Sequence, residues 1–306
     1  MEQKQAQPWS QQLQKPQPTN PAMPSSTKID GKVFEDILSN PQPVSEEKVG
    51  IDVLVFGDTN VGKTTFAMSC PEPIFVIDTE KRANKTKKYH FAGKDVRIFD
   101  PIEIKDDYVD DADAINYPAS IDNITNFMVA LNKKIQAKEI TQGTLVVDSL
   151  TDIWKWVQEW GKERLVRIGK MNRETMAIKN QFDWGIMNGK NARLMMLFRN
   201  VTKGGLNFIG TARETNVPDY VQSSQTIKLP TEKIRCQKDV PFDFSSLINL
   251  RVQRVKTPTG FSAKYLSTIV RLDTINVNKP PIEGIDFEKV KALIEGLPKE
   301  IKDNKK

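Results

Sequence analysis

Eight consecutive residues carry the clearest chemistry in the chain: Gly57, Asp58, Thr59, Asn60, Val61, Gly62, Lys63 and Thr64, in the pattern G-x-x-x-x-G-K-T. The glycines let the backbone turn tightly, so that successive N–H groups point at one anion. Before them runs Ile51-Asp52-Val53-Leu54-Val55-Phe56, which reads as a buried strand. After them Thr65-Phe66-Ala67-Met68 reads as a first turn of helix. Strand, glycine loop and helix N-terminus together make a phosphate-binding site. Gly57 to Thr65 are therefore the expected nucleotide-binding set. Lys63 is expected to reach the β- and γ-phosphates, and the Thr64 hydroxyl to ligate Mg²⁺.

Two acidic strand ends complement this loop. Val146-Val147-Asp148 is an apolar strand closed by a carboxylate, placed to orient Mg²⁺ with Thr64. Ile77-Asp78-Thr79-Glu80 ends the strand that follows the loop's helix. Ligands of a parallel sheet bind at the carboxyl ends of its strands, so Glu80 can polarise a water for attack on the γ-phosphate. The alternative for Glu80 is a capping or salt-bridged acid beside Lys81 and Arg82. Thr211 and Arg213 end a later strand and are candidates to sense the γ-phosphate.

These residues must be held by alternating strands and helices, and the patterning supplies them. Strands are expected at 73–80, 95–99, 143–148 and 205–211, with Ala212-Arg213-Glu214 leading out of the last. Helices are expected from a Ser120 cap to about Lys138, from Ser149 to about Arg167, from Phe182 to about Asn200, and from Phe287 to about Leu297. Lys81 to Lys88 reads as a loop or short helix. Trp156 and Trp160 share a face of the second long helix while Trp154 points elsewhere, and core packing accounts for these rings better than base stacking. Residues 246–255 and 261–270 form a hairpin signal around Pro258-Thr259-Gly260. Segment 215–240 is long for a plain connection, and is either functional or mobile.

Composition sets the outer limits. A chain of 306 residues suits one large α/β domain or two modest ones. Residues 1–45, dominated at first by Gln and Pro, read as a disordered tail and linker in which Trp9 is the one sticky residue. Residues 46–275 are expected to fold as the core domain, and 276–306 as a C-terminal helix and charged tail. No apolar run reaches membrane-spanning length, and the N-terminus has no secretory apolar region. Cys70 and Cys236 lack metal-ligand spacing and read as reduced thiols of a cytoplasmic protein. With His90 as the sole histidine, neither a His-based metal site nor a Ser-His-Asp triad is expected. The acidic stretch Asp106 to Asp113 lacks the glycine and glutamate of a calcium loop. A net charge of +6 mildly favours a polyanionic partner.

Taken together, Phe75 to Glu80 and Leu145-Val146-Val147-Asp148-Ser149-Leu150 resemble the corresponding segments of RecA-type recombinases. With Pro71-Glu72-Pro73, Phe182-Asp183-Trp184-Gly185 and Phe208 to Glu214, the chain is similar to phage RecA-like ATPases of single-strand annealing and recombination. The resemblance spans about residues 50 to 275. It implies a RecA-like P-loop core with a mainly parallel twisted sheet, and ATP hydrolysis with Mg²⁺ between subunits of a ring or filament. It also implies single-stranded DNA in loops mapping to about 165–180 and 214–240. A protein partner for the N-terminal tail is a further expectation. Arg251, Arg254 and Lys256 are candidates to act in trans on a neighbour's nucleotide, although a solvated strand face explains them equally well. Thr211-Ala212-Arg213 departs from the Asn-Gln that closes the bacterial sensor strand. A P-loop kinase, or a nucleotide-switched interaction protein without DNA, would carry the same loop.

Overall fold

The computed structural model describes residues 49–105, 115–170, 181–215, 234–257, 260–273, 275–276 and 280–303. The chain divides into Met1–Glu46 and Glu47–Lys306. The expected N-terminal tail, the acidic stretch 106–113 and most of the two expected DNA loops lie outside the described residues.

In chain order the elements are β1 (Asp52–Gly57), α1 (Lys63–Met68), β2 (Ile74–Asp78), α2 (Ala83–His90), β3 (Val96–Phe99), α3 (Tyr117–Gln136), β4 (Thr144–Asp148) and α4 (Leu150–Arg167). There follow α5 (Gln181–Lys203), β5 (Asn207–Glu214), β6 (Ile234–Arg235), β7 (Ser246–Thr257), β8 (Gly260–Leu272), β9 (Ile275–Asn276), β10 (Ile282–Glu283) and α6 (Phe287–Asp303). The strands form one mixed sheet in the order β10-β8-β7-β1-β5-β4-β2-β3, with β6 on β5 and β9 on β8. The six strands from β7 to β3 run parallel, whereas β6, β8, β9 and β10 are antiparallel.

Alternate residues of one strand feed opposite faces. Leu54 and Phe56 of β1 join a core with Ile121, Ile124, Trp156, Val157, Phe198 and Phe208, so α3, α4 and α5 cover that face. Val53 and Val55 join Phe66, Met68, Ala83, Phe287 and Val290, so α1, α2 and α6 cover the other. Because both faces are covered, β1, β2 and β4 read as unbroken apolar runs. Each fully buried Leu, Ile or Phe contributes about 1.5–3 kcal/mol. In residues 276–306, β10 pairs with β8 and α6 packs Phe287 and Val290 into the second core.

Several boundaries differ from the sequence reading. α3 starts at Tyr117 instead of Ser120, with Asn116 as its cap: the Asn116 side chain accepts from Ala119 N at 3.2 Å. Pro118 hides this start, since proline reads as a breaker yet fits a first helical turn, where its missing N–H is not needed. Ser120 lies inside the helix and accepts from Glu103 N at 3.0 Å. α1 begins at Lys63, two residues earlier than expected. β5 carries on through Ala212, Arg213 and Glu214, which are part of the strand and not its exit. Gly57 pairs with Arg213 in the register, and Arg213 and Glu214 also pair with β6.

The β7–β8 hairpin is longer than expected. β1 pairs with β7 only as far as Gly57 opposite Leu250, yet the hairpin stays paired to Thr257 opposite Gly260. About 20 Å of two-stranded arm therefore runs past the carboxyl end of the sheet.

Candidate functional site

The carboxyl ends of β1, β2, β4 and β5 lie side by side. Gly57 is level with Arg213, and Asp78 is level with Asp148. From this rim the chain enters its glycine loop. Gly57 has φ +153°, and a Cβ there would stand 2.2 Å from the Leu250 carbonyl oxygen, so no larger residue fits beside β7. Gly62, with φ +95°, is the residue from which α1 starts. α1 is short because Ser69, Cys70 and Pro71 end it, and Lys94 Nζ donates to the carbonyls of Met68, Ser69 and Cys70 at 3.3, 3.1 and 2.9 Å. A cation on the last carbonyls complements the helix dipole and helps hold the loop in place.

A cleft of about 530 Å³ opens over the loop, lined by Thr59 to Phe66 together with Glu80, Asp148 and Arg213. Its other walls come from α2 (Thr86, His90), from Phe91, from β8 (Tyr265, Leu266, Ser267) and from Gly284 to Asp286. Lys63 is 8% exposed, and its Nζ donates to the carbonyls of Gly57 at 3.2 Å and Asp58 at 2.7 Å. Burial pulls its ammonium below the usual lysine value, an effect that Glu80 and Asp148 partly offset.

Asp148 is buried at the end of β4, and its two oxygens accept from the Thr64 hydroxyl at 2.7 Å and the Thr211 hydroxyl at 2.5 Å. Burial raises its carboxyl above the ordinary aspartate value against the pull of those two hydroxyls. The Thr64 hydroxyl and the Asp148 carboxylate are two hard oxygen donors that both line the cleft, a donor set that suits Mg²⁺ alongside phosphate oxygens and water. The Asp78 side chain turns away to accept from Arg82 N and Ala83 N at 3.3 and 2.9 Å, at the start of α2.

Glu80 faces the cleft with a partner other than the neighbouring Lys81 and Arg82: Arg213 Nε and Nη2 both donate to its Oε1, at 3.2 and 2.9 Å. Burial alone would lower the Arg213 guanidinium, but the Glu80 hydrogen bond and the charges of Asp152, Glu80 and Asp148 together outweigh it and the value rises. Thr211 and Arg213 thus converge on Asp148 and Glu80 respectively.

The hairpin candidates divide. Arg251 is engaged within its own chain, donating to Asn249 Oδ1 at 2.7 Å and standing 3.6 Å from Glu214. Arg254 and Lys256 are exposed on the projecting arm, and no ion pair among the described residues holds either. Trp156 is 3% exposed and belongs to the core, with Trp154 and Trp160 packed half-buried against it.

Sequence reasoning missed Asp152 and Thr151. Asp152 Oδ2 accepts from Arg213 Nη2 at 3.2 Å and from the Ser149 and Thr79 hydroxyls at 3.0 and 3.4 Å. The Thr151 hydroxyl accepts from Arg213 N at 2.9 Å and donates to the Arg235 carbonyl at 2.6 Å. The Ser149-to-Asp152 spacing, a helix-start pair with an acid in the first turn, is the signal that could have marked Asp152.

A family model described as an AAA domain matches residues 49–271, the stretch that holds every residue of the cleft floor. No curated protein matches the chain. Among the described residues no helix is long and apolar enough to cross a membrane.

Proposed function

This chain belongs to the AAA domain family, and we propose that it hydrolyses ATP with Mg²⁺ and acts on single-stranded DNA as a ring or filament of identical subunits. The observation that carries the hydrolytic part is the joint placement of Lys63, Thr64, Asp148 and Glu80 around one cleft. Loop N–H groups and the α1 N-terminus would bind the phosphates. Lys63 would exchange its two carbonyl partners for β- and γ-phosphate oxygens. Thr64 and Asp148 would hold Mg²⁺, which when bound offsets charge on the phosphates. Glu80 would orient a water and take its proton as the water oxygen attacks the γ-phosphorus, the bond to the β–γ bridging oxygen breaks, and ADP leaves with that oxygen.

The DNA part rests on the resemblance to RecA-type recombinases and on the net charge of +6. Backbone contacts by lysine and arginine give binding that weakens steeply with salt. The subunit part rests on the projecting hairpin, whose Arg254 and Lys256 would reach a neighbour's nucleotide, completing a site that Lys63 and Arg213 furnish in cis.

The test is phosphate release from ATP without any acceptor, with and without single-stranded DNA. Release that DNA accelerates supports the whole reading. Release that DNA leaves unchanged, with no strand binding at low salt, removes the DNA role. Phosphate transfer that requires a small-molecule acceptor would make the chain a kinase instead.

A further inference from the structure

β2 and β4 stay in register as far as Asp78 opposite Asp148, and one residue carries the pairing past that point. Thr79 N donates to the Asp148 carbonyl at 2.8 Å. The Thr79 hydroxyl accepts from Ser149 N at 2.8 Å, and its own hydrogen can go to the Asp148 carbonyl at 3.1 Å or to Asp152 Oδ2 at 3.4 Å. Thr79 is 7% exposed and Ser149 is fully buried, so water cannot stand in for these bonds. Ser149 is also the cap of α4, its hydroxyl accepting from Asp152 N at 3.4 Å.

The place of Thr79 in the chain gives these bonds a chemical meaning. It directly precedes Glu80, and its partners are the carbonyl of Asp148 and the N–H that follows it. A single residue thus joins the strand end that carries the base to the strand end that carries the Mg²⁺ ligand. Valine has nearly the shape of threonine but no acceptor, so Thr79→Val would leave the buried Ser149 N–H without a partner. A backbone that moved to find one would carry the Asp148 carboxylate with it, away from the Thr64 hydroxyl. Neither the phosphate loop nor Lys63 takes part in the Thr79 bonds.

We propose that Thr79 is a positioning residue whose hydroxyl holds the Asp148 carboxylate and Glu80 at a fixed separation across the cleft, so that metal and attacking water are aligned on the same phosphate. The proposal rests on the hydrolytic reading above and adds to it the residue that keeps the two carboxylates together. Loss of the hydroxyl lowers turnover and weakens the contribution of Mg²⁺, while metal-free nucleotide binding, which belongs to the loop and Lys63, persists.

The experiment uses the full chain as wild type, Thr79→Val and Thr79→Ser. Phosphate release over a range of Mg²⁺ gives kcat and the Mg²⁺ needed for half-maximal turnover. A fluorescent ATP analogue gives Kd, first in EDTA and then as Mg²⁺ is added. Thr79→Val is expected to lose kcat by about tenfold and to need about tenfold more Mg²⁺, the scale for removing a group that orients a metal ligand. Its Kd in EDTA should stay within about twofold of wild type, with the Mg²⁺ effect on binding shifted to higher concentration. Thr79→Ser keeps the hydroxyl and should return kcat and Mg²⁺ demand to within about threefold of wild type. Thr79→Val that matches wild type in both overturns the proposal. So does Thr79→Ser that fails as badly as Thr79→Val, which would assign the residue to packing alone. Should Thr79→Val fail to fold, Thr79→Ala removes the hydroxyl without a methyl in its place and faces the same outcomes. Wild type that binds ATP but releases no phosphate sinks the hydrolytic reading and this proposal together, an outcome distinct from an active wild type matched by Thr79→Val.

Discussion

The Thr64 hydroxyl donates to Asp148 Oδ2 across 2.7 Å, joining the first turn of α1 to the end of β4 although the two residues stand 84 positions apart. β5 lies between β1 and β4 and supplies Thr211 to the other oxygen of the same carboxylate. The two hydroxyls satisfy a buried anion, which would otherwise be expensive to hold. They also aim it at the place where a cation and phosphate would sit.

Asp148 is therefore predicted to stabilise function at the expense of the fold. Its native carboxyl is raised above 3.8, chiefly by burial. A raised carboxyl binds more protons in the folded state, so its unfavourable contribution is fully present above the native value and vanishes as pH falls through that value to below 3.8. Asp148→Asn should raise the ligand-free Tm at neutral pH, and the gain should shrink on acidification, read by thermal unfolding between pH 4 and 8. The same variant should lose Mg²⁺-dependent turnover.

Lys63→Ala should weaken ATP binding by roughly 10- to 100-fold, the range for losing hydrogen bonds from a charged group. Titration with a fluorescent ATP analogue checks it. A Kd close to wild type would place the phosphates away from Lys63.

Gly57→Ala should unfold or loosen the catalytic edge. The added methyl would meet the Leu250 carbonyl at 2.2 Å, a backbone group that cannot swing aside. A loss of about 1–3 kcal/mol is expected from overpacking of this kind. Denaturant unfolding of the variant measures it, and an unchanged midpoint would mean that β1 and β7 separate easily.

If Arg254 acts on a neighbour's nucleotide, two inactive variants should rescue each other. Arg254→Ala lacks the hairpin cation and Glu80→Gln lacks the base. In an equal mixture about a quarter of head-to-tail interfaces would pair an intact Glu80 with an intact Arg254. Phosphate release from the mixture should reach about that share of wild type, whereas no gain over the separate variants would confine Arg254 to its own subunit.

The phosphate loop, both acidic strand ends and the alternating α/β pattern were legible because each depends on neighbours in sequence. Gly57 to Thr64 is a local motif, and Val146-Val147-Asp148 is a local apolar run with an acid after it. The partner of Glu80 was not legible. Lys81 and Arg82 are adjacent in the chain, but the bond goes to Arg213, 133 residues away, because β5 lies beside β4 in the sheet. Asp152 escaped for a similar reason, since its local pattern says only that a helix begins. The length of β5 was misjudged because Arg213 is charged, and only its long-range partners show that the strand continues.

If Glu80 drives hydrolysis at this cleft, steady-state phosphate release from ATP by wild type and Glu80→Gln, each with Mg²⁺ and with EDTA, will show it. The predicted result is Mg²⁺-dependent release by wild type, lost by about 100-fold or more in Glu80→Gln while ATP still binds. Equal release by the two proteins would contradict it.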